Sequence, residues 1–206
     1  MTWARLALTV GRGFDVVSQS WANPNAVVPP RRYAVMLVDP GAGSSRVLTT
    51  TVGGPPTLEW SPDGSRLLVC APSHGPSTGC GNHYVDSSAG GFPPQPSVLS
   101  VVHVDSGRSR VVARGRLQFA GWSPTGDGYA WADDLDLHVV RANGASRRHT
   151  IDVSGGSWLG WSPDGKHIAA GPNDSYELID VATGKTSWPI PPSYSRYIIQ
   201  SVRWWP

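Results

Sequence analysis

The side chains best suited to chemistry gather in one stretch, residues 72–97, which holds His74, Cys80, Asn82, His83, Tyr84 and Asp86. His74, His83 and Asp86 could share a metal, because imidazole nitrogens and a carboxylate are ligands that zinc accepts. Their spacing fixes no geometry, and a Gly- and Pro-rich loop is a poor frame for a preorganised site. No metal and no cofactor is therefore expected. "GPSTG" (Gly75–Gly79) fits G-x-S-x-G, but a nucleophile elbow needs a helix after the serine. None is signalled, and no carboxylate is placed to orient His74 as a base. "DDLD" (Asp133–Asp136) has the acidity of a calcium loop. Asp133-Asp134 reads better as a hairpin turn and Asp136 as the outer face of a strand. The sequon Asn173-Asp174-Ser175 matters only in a glycosylating pathway. No catalytic residue is assigned.

The elements that must position these groups come from a repeat. "WSPDG" stands at Trp60–Gly64 and again at Trp161–Gly165, with "WSPTG" at Trp122–Gly126 and a partial copy, "RWWP", at Arg203–Pro206. A second marker keeps the same phase: "LVDPGAG", "HVDSGRS", "VVRANGAS" and "LIDVATGK" each put a turn after an apolar strand. In the first motif Pro presets φ, and Asp-Gly supplies a side-chain acceptor and a residue free to take φ > 0. Each unit then reads as four short strands, the first ending at the motif Trp. No segment holds a 3.6-residue helical period. The 24 Gly and 19 Pro fit many turns, and the 10 Trp argue against disorder, which is poor in aromatics.

Four strands recurring every ~40 residues is the pattern of a β-propeller blade. "WSPDGSRLLV" and "WSPDGKHIAAGPNDSYELIDVATGK" resemble the WD-like propeller repeats of TolB-type proteins. That resemblance implies an all-β propeller over residues 1–206, with about four four-stranded blades. The blade units are about 1–52, 53–114, 115–152 and 153–190, with 191–206 as a closing strand. It also implies that the motif Trp closes the innermost strand. The chain then starts on a second strand (Ala4–Val10) and ends on an innermost one (Ile198–Trp205). Either these two complete one blade of a closed ring, or the chain is part of a larger propeller, or two copies self-associate to complete one. The motif tryptophans Trp60, Trp122, Trp161 and Trp204 are expected as wedges between blades. The resemblance leaves function open, since such blades serve protein binding, sugar binding or cleavage, and peptidase gating.

Function is therefore sought in the irregular loops. The second-to-third connection is long in the first two units, residues 11–31 and 72–97, and both fall on one face. The segment Pro189–Tyr197 joins them there. Long loops are where binding groups concentrate. The expected contacts are Trp21, Asn25, His74, His83, Tyr84, Asp86, Tyr194 and Arg196, a set of aromatics, amides and charges suited to another protein or a polar small ligand. The expectation is a non-catalytic binding module. The alternatives are a hydrolase or lyase built on the loop histidines, with a metal, and a propeller fragment without separate activity.

A formal charge of +2 is too small to imply nucleic acid. Arg108, Arg110, Arg114, Arg116, Arg147, Arg148 and His149 read as the solvent face of edge strands. No apolar run reaches the ~18 residues of a membrane span, and the opening residues make a poor signal peptide. Cys70 and Cys80 can close a disulfide loop, because Gly75, Pro76 and Gly79 permit a turn; small buried hydrophobes are the alternative. A bridge would imply an extracytoplasmic setting and free thiols a cytoplasmic one.

Overall fold

The computed structural model describes residues 6–11, 31–73, 96–133, 135–151, 158–171 and 177–187. Among them are fifteen β-strands and no helix. The first sheet joins β1 (Leu6–Gly11), β2 (Arg31–Asp39) and β3 (Ser44–Gly53). The second joins β4 (Thr57–Trp60), β5 (Arg66–Pro72), β6 (Ser97–His103) and β7 (Ser109–Gly115). The third joins β8 (Phe119–Trp122), β9 (Gly128–Ala132), β10 (Asp136–Arg141) and β11 (Ser146–Thr150). The fourth joins β12 (Trp158–Trp161), β13 (His167–Gly171), β14 (Glu177–Asp180) and β15 (Thr186–Ser187). Every pairing is antiparallel between consecutive strands, so each sheet is a meander. These are the blades expected from the repeat.

Alternation along the strands explains how the sheets stack. In β6 the odd positions Leu99 and Val101 face one side, and Val98 and Ser100 the other. Three apolar layers result, one between each successive pair of sheets. Val35, Leu37 and Leu48 of the first sheet meet Leu67, Val69 and Val102 of the second. Leu68, Leu99 and Val101 meet Ala120, Trp122 and Tyr129 of the third. Phe119, Leu137 and Val139 meet Ile168, Ile179 and Val181 of the fourth. Burying one such aliphatic side chain contributes about 1.5–3 kcal/mol.

The motif turn is built the same way in two copies. Ser61 Oγ donates to Asp63 Oδ1 (2.5 Å) and accepts from the Arg66 N–H (2.9 Å). Ser162 repeats this with Asp164 Oδ1 (2.6 Å) and the His167 N–H (2.9 Å). Gly64 and Gly165 take φ of 68° and 67°, the left-handed region open to glycine. The middle copy lacks the aspartate. Ser123 Oγ instead meets Thr125 Oγ1 (2.8 Å), which donates to Asp127 Oδ1 (2.7 Å), so the carboxylate acts from two residues further on.

The motif tryptophans Trp122 and Trp161 wedge between blades. Trp122 is buried, donates its indole N–H to the Glu59 carbonyl (3.1 Å) and meets Tyr129 edge-on at 5.3 Å. The Arg66 guanidinium lies 4.7 Å from its ring centroid. Trp161 donates to the Gly121 carbonyl (3.2 Å). Trp204 and the segment 198–206 lie outside the described residues.

Arg108, Arg110, Arg114, Arg147 and Arg148 are exposed on or beside the outermost strands β7 and β11, as their alternation suggested. His149 differs. It is partly buried against Gly184, whose missing side chain leaves room for the ring.

Candidate functional site

A four-stranded meander sorts its connections onto two ends. The motif turns and the outer hairpins share one end. The second-to-third connections and the blade-to-blade crossings share the other, and this is where the candidate groups attach.

The first two sheets carry the long connections there. Residues 12–30 leave from β1 and return to β2; residues 74–95 leave from β5 and return to β6. Trp21, Asn25, His74, His83, Tyr84, Asp86, Tyr194 and Arg196 all lie outside the described residues, as do Cys80 and "GPSTG".

The frame beneath them is described in detail. The Ser73 N–H donates to the Pro96 carbonyl (2.7 Å), so residues 74–95 depart and return through a neck closed by one backbone bond. The Gly54 N–H donates to the Pro72 carbonyl (2.8 Å), tying the crossing from the first sheet to that neck. At Gly53, with φ of 134°, the Pro72 and Ser73 backbone fills the space a Cβ would need, so only glycine fits. Thr51 Oγ1 and Ser73 Oγ are buried without a hydrogen-bond partner among the described residues. Cys70, 2 % exposed on β5 two residues before the neck, is not a free thiol.

The third sheet carries a short connection instead. Asp133 Oδ1 accepts from the Leu135 N–H (3.0 Å) and the Asp136 N–H (2.9 Å), the side-chain turn expected of an aspartate there. Asp133, Asp136 and His138 bring their ligand-type atoms within 4.8 Å of one another. Their charges are already answered. Arg148 Nη1 stands 3.6 Å from Asp136 Oδ2, and Thr150 donates to Asp136 Oδ1 (3.1 Å). His138 Nε2 is 3.8 Å from Asp133 Oδ2, and its ring stacks on Trp131 at 3.7 Å. Burial lowers the His138 pKa, against the pull of both carboxylates, which favours the neutral ring. The group thus reads as a turn locked by an ion pair, with Asp136 partly buried rather than fully on the outer face.

Glu59 was not singled out in the sequence, although the signal is visible there. It stands before Trp60 where the next two blades have Gly121 and Gly160 before their Trp. Its Oε1 accepts the Trp122 N–H (3.0 Å), reaching across to the next blade over Gly121. Burial raises its pKa, partly offset by that N–H.

No family model and no curated protein sequence matches the chain. Solved structures do. Oligogalacturonate lyase in complex with manganese aligns at a TM-score of 0.50 and 16% identity, over 77% of this chain and 49% of that one. The dihydro-heme d1 dehydrogenase NirN, in complex with DHE, aligns at 0.50 and 18%, over 80% of this chain and 35% of that one. TolB from Acinetobacter baumannii gives 0.47 and 19%, over 78% and 38%. The chain thus spans about half or less of each of these proteins, which share its propeller architecture. Meandering blades, interblade tryptophans and the two likenesses at a TM-score of 0.50 agree: the chain is built of β-propeller blades.

Proposed function

We propose that the chain is a non-catalytic binding module. It recognises a segment of another protein, or a polar small ligand, on the end that carries residues 11–31 and 72–97. One observation carries this reading. The two long connections leave from neighbouring sheets on the same end: Arg31, where residues 12–30 return, pairs with Gly53, and the Gly54–Pro72 bond beside it reaches the base of residues 74–95. Long loops on a rigid frame are the usual place for recognition. The Ser73 hydroxyl at the neck, buried without a partner among the described residues, adds polar capacity beneath it. A Cys70–Cys80 bridge would staple residues 74–95 at their base and reduce the ordering cost of binding. Trp21, Asn25, His74, His83, Tyr84, Asp86, Tyr194 and Arg196 are the proposed contacts.

The test uses the full chain on peptide and glycan arrays. A probe bound by the wild type should be lost by His83→Ala, Tyr84→Ala and Trp21→Ala, with the melting temperature unchanged. Loss through Lys166→Ala on the motif-turn end, with binding retained by the three loop variants, would place recognition elsewhere. Metal analysis separates the catalytic alternative: a stoichiometric metal lost in His74→Ala or His83→Ala would overturn the non-catalytic reading.

A further inference from the structure

The motif-turn end departs from its own repetition at one corner. In each of the last three sheets a row of three residues crosses the strands there. In the third sheet the row is Gly128, Arg141 and Ala145, and in the fourth it is His167, Asp180 and Lys185. Arg141 is answered by Asp127 at 4.0 Å, and the fourth row carries its own carboxylate. In the second sheet the row is Arg66, His103 and Arg108, basic side chains with no acid among them.

The adjacent row adds another. Arg110 stands opposite Val101, which stands opposite Leu68. Leu68 and Val101 belong to the apolar layer that meets the third sheet. Residues two apart on a strand share a face, so Arg66, His103, Arg108 and Arg110 are all on the face toward that sheet. The contacts of Arg66 agree, since its guanidinium lies 4.7 Å from the Trp122 ring centroid. Tyr129, 5 % exposed, packs edge-on against the same ring. Both guanidinium groups act on its phenol. Burial raises the Tyr129 pKa, and the Arg110 charge, a hydrogen bond from Arg110 and the Arg66 charge oppose that rise. Among the described residues no carboxylate forms an ion pair with Arg66, Arg108 or Arg110. Arg66 does act on Asp63, but that carboxylate is already held by the Ser61 and Ser65 hydroxyls. Like charges brought to one phenol repel, and an anion between them removes the repulsion.

We infer that this corner, between the second and third blades, is a phosphate site. Arg66 and Arg110 hold the phosphate oxygens through charge-assisted N–H bonds, the strong class of hydrogen bond for this anion. Tyr129 donates its O–H to the same group from the third sheet. His103 and Arg108, both exposed, supply further donors on the solvent side. Donors arriving from two sheets suit a tetrahedral group with three acceptor oxygens better than a planar carboxylate with two. The phosphate is either the free ion or a monoester on a larger ligand, and the recognition chemistry is shared. The site lies at the opposite end of the blades from residues 11–31 and 72–97 and does not depend on what those residues bind.

Calorimetric titration of the full chain tests this, with inorganic phosphate and O-phosphoserine as probes and sodium chloride holding the ionic strength constant. Binding should saturate at one phosphate group per chain. Saturation by O-phosphoserine marks a group carried on a larger ligand; saturation by inorganic phosphate alone marks the free ion. Arg110→Gln, at an exposed side chain, should weaken binding about tenfold or more with the melting temperature unchanged. Arg66→Gln should weaken it as much, and Tyr129→Phe by less. Arg147→Gln is the control. It removes the same charge at the matching position of the third sheet, opposite Val139, on the face toward the fourth sheet. Binding should survive it unchanged. Saturation by neither probe, or equal weakening by Arg110→Gln and Arg147→Gln, overturns the site.

Discussion

The two ends of the blades are made from the same strands but obey different rules. At the motif-turn end, three turns solve one problem with nearly the same atoms. A buried serine, Ser61, Ser123 or Ser162, is tied to a carboxylate within the turn, directly in two cases and through Thr125 in the third. At the other end the connections differ in length and in what they carry. One is a short aspartate turn held by Arg148, and two are long stretches leaving from neighbouring sheets. The repeating end spends its polar groups on itself. At the irregular end the hydroxyls of Thr51 and Ser73 find no partner among the described residues. Repetition in this chain marks what the fold needs, and departure from repetition marks where something else can be recognised.

The contrast breaks most severely at an interblade wedge. Trp122→Ala removes a buried ring, its edge contact with Tyr129 and its bond to the Glu59 carbonyl. A loss of about 3–5 kcal/mol is expected, measured by urea unfolding. Trp131→Ala, at a partly exposed ring stacked on His138, should cost much less. If the two cost the same, the wedge role of the motif Trp fails.

Gly53→Ala tests whether the base of the irregular end is as rigid as its geometry implies. The new Cβ would meet the Pro72 and Ser73 backbone at a φ of 134°. Strain of this kind costs roughly 1–3 kcal/mol. A thermal melt unchanged by the substitution would show that the neck yields freely, and a frame that yields is a poor platform for recognition.

Ser162→Ala probes the regular end more gently. It leaves the His167 N–H and the Asp164 carboxylate without their shared hydroxyl. The cost should be about 1–2 kcal/mol, and Ser61→Ala should match it. Ser123→Ala should cost less, since Thr125 keeps its own bond to Asp127.

The blades were legible because they are periodic. The turn chemistry of Ser-Pro-Asp-Gly and the short apolar run Leu67–Ala71 each point to the observed strands, and the phase of the second marker gives the outer hairpins. The interblade role of Glu59 was harder to see: the sequence shows it only as a departure from the Gly before the other motif tryptophans, and its partner, the Trp122 N–H, comes into view only with the neighbouring blade in place. His149 reads as solvent-facing by alternation, and only the packing of Gly184 against it shows otherwise. The candidate contacts rest on residue type within long loops. Loop side chains have no period to fix their positions, so the sequence could place the loops on one end but not arrange the groups within them.

The smallest effects come from two carboxylates whose pKa values move in opposite directions. Hydrogen bonds from the Ser61 and Ser65 hydroxyls and the Ser65 N–H lower Asp63 from 3.8 to about 2. Its contribution to stability is therefore present above pH 3.8 and is lost as pH falls toward 2. Glu59 is raised above 4.5, chiefly by burial. Its protonated form is favoured in the fold, so its contribution is full below pH 4.5 and declines as pH rises through the folded-state value. Glu59→Gln keeps an oxygen to accept the Trp122 N–H and removes the charge. The variant should gain on the wild type as pH rises from 4 to 7, by no more than about 1 kcal/mol at this partly exposed site. Asp63→Asn should do the reverse, matching the wild type near pH 2 and falling behind it above pH 4. Urea midpoints across pH 2–7 measure both. Parallel curves for Glu59→Gln and the wild type would mean that the carboxylate is solvated rather than pressed between blades. Its bond to the next blade would then be a surface contact, not part of what holds neighbouring sheets in register.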